Sequence, residues 1–192
     1  LTVTREEAVT ALEEVSRASD RINTLKGYHH GAPHFIIWGL VWLVANTLTQ
    51  FLPDQTNVTW SAALVFGVIA SVATGVIQAR RARPRAASSA AEARVSRRSG
   101  MAVAVVFAFI ACLVVITRPE TSRETNAVIS IVFPFMYMGA GVWAGWRLFA
   151  IGLVTAVGIM AGFVWIEDYY PLWMGLFGGG SLIAGGLWLR SA

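Results

Sequence analysis

Six apolar stretches, each near the length that a helix needs to cross a bilayer, recur along this chain and leave it few folds to choose from. A hydrocarbon core about 30 Å thick asks for about 20 largely apolar residues per helix. The stretches run at about 34–52, 60–79, 101–117, 126–146, 148–166 and 171–189. Composition agrees: 56% of the 192 residues are hydrophobic, 14% are charged and the mean hydropathy is +0.60. Eight Trp and 18 Gly fit the same setting, because Trp collects at bilayer interfaces and Gly is tolerated in packed membrane helices. The expected fold is all-α: a membrane domain over 34–190 with six transmembrane helices in three hairpins, preceded by a cytoplasmic amphipathic helix within 1–30.

The longest polar interruption is Gln78–Gly100. Its core, residues 80–100, is a basic loop with seven arginines, Arg80, Arg81, Arg83, Arg85, Arg94, Arg97 and Arg98, against one acid, Glu92. Cytoplasmic loops carry the excess of Lys and Arg in membrane proteins. With six crossings and a cytoplasmic start, thirteen basic residues fall inside and only Arg118 and Arg123 outside. Both termini are therefore expected in the cytoplasm. The loop lacks aromatic residues for base stacking, which sets nucleic acid aside. Anionic lipid headgroups are its expected partners, at about 1 kcal/mol per basic residue near the surface.

Residues 4–26 carry helical periodicity. Thr4 and Glu7 form a T-x-x-E capping pattern, and Val9, Leu12, Val15, Ala18, Ile22 and Leu25 recur at three- and four-residue steps. Gly27 is a plausible stop, and Gly31-Ala32-Pro33 is expected to break the helix, with Pro33 opening the next. The amphipathic helix is suited to lie on the membrane, to pair with a partner or to pack on its own bundle. The charged first thirty residues lack the apolar core of a signal peptide.

Lipid tails are as apolar as leucine, so membrane helices associate by close packing of small residues. Gly67, Ser71 and Gly75 supply such a stripe on the second stretch, Gly141 and Gly145 on the fourth, Gly152, Ala156, Gly158 and Gly162 on the fifth, and Gly175, Gly179, Ser181 and Gly185 on the sixth. Pro134 should kink the fourth, with Ser130 placed to take up a freed backbone group.

No Asp, Glu, Lys, Arg or His occupies the middle of any stretch, which argues against proton relays and ion-driven carriers. Neither an H-E-x-x-H helix nor paired membrane carboxylates are present, so a non-enzymatic protein is expected, with no cofactor. The lone Cys112 allows no intramolecular disulfide. The best ligand-binding candidates are Trp38, Trp42, Asn46 and Gln50, a ridge at four-residue spacing that continues from His34, together with Tyr137. Asn46, Gln50 and Tyr137 suit either a midplane cavity for a small amphipathic molecule or hydrogen bonds between helices. His29, His30 and His34 are the only candidate metal or haem ligands, and bis-histidine haem would require a dimer.

The string Pro33–Trp42 (PHFIIWGLVW) and the ending Gly185–Arg190 (GGLWLR) resemble those of an uncharacterised family of small six-helix bacterial inner-membrane proteins. The resemblance implies an inner-membrane setting and carries over no catalytic residue. The expected function is that of an interaction, accessory or regulatory subunit. The alternatives are a small-molecule or lipid transporter or binding protein using Asn46, Gln50 and Tyr137, and a haem- or metal-binding dimer through the histidines.

Overall fold

The computed structural model describes residues 5–81 and 89–191, and no side chain between 82 and 100. Among the described residues there is no strand; six helices account for nearly all of them. They are α1 (Arg5–Phe51), α2 (Thr56–Arg81), α3 (Ser89–Thr117), α4 (Ser122–Ala144), α5 (Trp146–Trp165) and α6 (Tyr170–Arg190). Five are long and apolar enough to cross a membrane, as befits a membrane protein, whereas the apolar part of α3, Ala104–Thr117, is shorter.

The first helix departs from expectation. Neither Gly27 nor Gly31-Ala32-Pro33 ends it, and α1 continues for 47 residues with Pro33 inside, about 70 Å at about 1.5 Å per residue. Packing overrides the local breakers here. Ala32 is fully buried and Tyr28 nearly so, in a cluster with Ile151 and Leu189. Pro33 cannot bond the His29 carbonyl, and beside that gap the His30 carbonyl accepts a bond of 3.1 Å from Gln78 Nε2. Tertiary contacts thus hold in line a segment whose own sequence favours a break. The capping pattern at Thr4 lies outside the described residues.

A capping box does form elsewhere. Thr121 Oγ1 accepts from the Glu124 amide at 3.1 Å, while Glu124 Oε2 accepts from the Thr121 amide at 3.3 Å and the Glu120 amide at 2.7 Å. The T-x-x-E at Thr121–Glu124 satisfies donors that lipid could not, and starts α4.

Two helix pairs make the closest approaches, α1 with α6 and α4 with α5. On the first, a Cβ on Gly39 would lie 2.7 Å from the Gly179 carbonyl oxygen, and one on Gly179 would lie 2.7 Å from the Gly39 carbonyl oxygen. Only glycine lets backbone meet backbone at this crossing. The α6 backbone between Met174 and Gly179 widens into a π-helical turn, which accompanies the glycine-rich run pressed on α1. On the second pair, Gly141 abuts the Phe149 backbone, and a Cβ on Gly152 would meet the Pro134 carbonyl oxygen at 2.5 Å. Gly145, at φ +119°, makes the corner between α4 and α5, and any side chain there would strike the Tyr28 hydroxyl.

The pairs join where Trp173 and Phe177 of α6, stacked at 5.0 Å and 8°, lie in the troughs left by Gly162 and Gly158 of α5. Trp173 Nε1 donates to the Gly158 carbonyl at 2.9 Å. By contrast, α2 leans mainly on α1, and α3 touches α4 across an open apolar groove.

Candidate functional site

The ridge on α1 turns slowly around the helix, so its members meet different neighbours. Trp38 lies against Gly67 of α2, where an added Cβ would come within 3.2 Å of the indole. Trp42 is buried, edge-on to Phe133 of α4 at 6.1 Å, and beside Gly178 of α6. Asn46 has no exposed surface. Its Nδ2 donates to the Trp42 carbonyl at 3.0 Å and its Oδ1 accepts from Asn126 Nδ2 at 2.7 Å. Asn126 Oδ1 in turn accepts from Ser130 Oγ at 3.1 Å. Gln50 Nε2 donates to the Asp168 carbonyl at 3.2 Å, tying the end of α1 to the α5–α6 connection.

Asn46, Asn126 and Ser130 thus form a bonded chain between α1 and α4. An unpaired amide in this setting would cost several kcal/mol, and here both amides are partnered. Ser130 spends its hydroxyl on Asn126 rather than on the backbone near Pro134. The role of Asn126 was missed in the sequence because it opens the fourth apolar stretch and reads as a loop residue. A mid-length polar residue such as Asn46, which must have a partner, was the available signal.

Tyr137 stands apart from this chain. It lies eleven residues beyond Asn126 on α4, about 16 Å along the axis, and its ring packs on Phe35 with centroids 4.7 Å apart. Asn46 and Gln50 are therefore near one end of the bundle and Tyr137 is not with them. Two other buried polar atoms near that end, Gln50 Oε1 and Tyr170 Oη, have no hydrogen-bond partner. Beside them Arg123 lies over the Phe163 ring at 5.0 Å and pairs with Glu167 at 3.4 Å.

The histidines lie on α1 near the opposite end. His30 Nδ1 lies 2.8 Å from the Lys26 carbonyl oxygen, within reach of an Nδ1–H donor. His29 and His30 are exposed and His34 is half-buried. No group of three His, Cys, Asp or Glu placed to hold a metal ion occurs among the described residues. Of the loop arginines, Arg80 and Arg81 close α2 and are exposed. Arg83 and Arg85, and the side chains of Arg94, Arg97 and Arg98, lie outside the described residues. At the same end, Arg147 donates to the Trp188 carbonyl at 2.8 Å and covers the Trp188 ring.

Comparison with protein-family models, with curated proteins and with solved structures finds no match to this chain.

Proposed function

We propose that this chain is a six-span protein of the bacterial inner membrane whose arginine-bearing end faces the cytoplasm, and that it works as a non-enzymatic interaction or accessory subunit. Contacts at the two ends of the bundle support the crossing pattern. The Gln78–His30 bond puts the end of α2 beside the point where α1 enters the bundle, and the Asn46–Asn126 bond puts the start of α4 at the far end. The 29 residues of α3, at about 43 Å, are long enough to run between these levels.

One observation carries the functional reading. Beyond the bundle α1 continues as a stalk with an exposed apolar stripe: Leu12 is 70% exposed, Val15 66% and Ile22 50%. Because the stalk continues a bundle helix without a break, it does not turn onto the bilayer plane. An apolar stripe in water at that position suits a partner helix. Extraction in mild detergent tests it, using the natural chain and a Val15→Glu, Ile22→Glu variant. A stoichiometric partner held by the first and lost from the second is expected. A natural chain that purifies alone as a strict monomer contradicts the proposal.

A second reading, a small-molecule or lipid transporter or binding protein, is favoured by the unpartnered Gln50 Oε1 and Tyr170 Oη. It keeps Gln50 and relinquishes Tyr137. Native mass spectrometry with a bound molecule that Gln50→Leu removes would support it over the first.

A further inference from the structure

Where α1 leaves the bundle, its turns over residues 20–27 and the α4–α5 corner border an open pocket of about 500 Å³, lined by Asp20, Asn23, Thr24 and Gly27 on one side and by Trp143 and Leu148 on the other. This volume lies in the range of small-molecule sites. Its frame is firm: Tyr28, 5% exposed, is locked against Gly145, the one described glycine with positive φ.

Gly27 is otherwise hard to explain. In the interior of a helix, glycine costs about 1 kcal/mol relative to alanine. Nothing lies within 4 Å of where its Cβ would be, so packing does not require glycine here. Gly27 lines the pocket and puts no side chain into it. The walls have a definite chemistry. Asp20 is an exposed carboxylate with no ion-pair partner among the described residues; the nearby Arg17 is engaged with Glu13 at 2.9 Å, and Arg21 beside it makes no ion pair. Arg147 is committed to the Trp188 carbonyl. Trp143 presents an indole that is 85% exposed. A carboxylate and an indole face are the groups that hold an alkylated or primary ammonium, through charge and cation–π attraction. Leu148 gives the attached alkyl chain an apolar wall, and Asn23 and Thr24 offer hydrogen bonds to its polar neighbours.

We propose that this pocket binds an organic ammonium group, carried either by the headgroup of a membrane amphiphile or by a soluble amine. The site is separate from the stalk stripe and from the Asn46 chain, and does not depend on either.

Calorimetric titration of the full chain in an uncharged maltoside detergent tests it, with dodecyltrimethylammonium and tetramethylammonium as probes. Saturable binding of the dodecyl probe alone identifies a membrane amphiphile as the source, and saturable binding of both identifies a soluble amine. Asp20→Asn is expected to weaken binding roughly tenfold. Gly27→Leu is expected to abolish it while leaving the melting temperature unchanged or raised, because leucine is the better helix former. Trp143→Ala weakens binding without touching the helix-to-helix contacts. Absence of saturable binding by either probe overturns the proposal, as does binding that Asp20→Asn and Gly27→Leu both leave unchanged.

Discussion

Helices α2 and α5 are both strongly apolar and both carry small residues at four-residue spacing, yet their surroundings differ sharply. Across the most apolar window of each, 6% of α2 is buried against 39% of α5. Hydropathy cannot account for this, because it reports only that both helices prefer lipid to water. What differs is where the glycines fall. In α5, Gly152 receives the α4 backbone, and Gly158 and Gly162 receive the α6 rings. In α2 only Gly67 meets a neighbour closely, whereas Gly75 has nothing within 4 Å. A small residue draws helices together only where a neighbour fills the space it leaves. The result is an inner set, α1, α4, α5 and α6, with α2 and α3 more loosely placed against it.

The contrast can be broken deliberately. Gly179→Leu should have the largest effect, about 3 kcal/mol of destabilisation, since it drives a side chain into the α1 backbone. Unfolding in mixed micelles measures it. Trp173→Ala empties the trough at Gly162, removes the ring stacked on Phe177 and loses the bond to the Gly158 carbonyl, so a cost of about 3 kcal/mol is expected by the same measurement. Asn46→Leu should cost about 1 kcal/mol, the scale of hydrogen bonds between membrane helices. A double-mutant cycle with Asn126→Leu would show the coupling. Gly75→Leu, on the open face of α2, should change stability by less than about 0.5 kcal/mol. If Gly75→Leu proved as costly as Gly179→Leu, the division into inner and outer helices would fail.

Much of this arrangement was legible in the residues, and the exceptions share a cause. The apolar stretches mark the helices because lipid imposes a length and a composition on each. Asn46 was conspicuous because an amide is costly in lipid, but its partner was not, since Asn126 sits at a stretch boundary where polar residues are common. Pro33 suits a helix start by its sequence alone, because proline fits the first turn. Its actual place inside α1 depends on Ala32 against α6 and Tyr28 against the α4–α5 corner, contacts distant in sequence. The π-helical turn at Met174–Gly179 likewise lies where α6 meets α1, a contact distant in sequence. The capping box at Thr121–Glu124 also went unread, although its T-x-x-E pattern is as local as the one at Thr4–Glu7.

The stalk is central to the account, and a distance along α1 tests it most directly. Spin labels at Leu12→Cys and Leu48→Cys, with Cys112→Ser as background, report on the chain in a bilayer. A continuous helix places these positions above about 50 Å apart, allowing for a modest bend at Pro33. A helix broken at Gly31–Pro33, with its first part turned onto the membrane surface, would place them about 39 Å apart. The longer distance is the predicted result, and the shorter would contradict the stalk and the partner-docking function built on it.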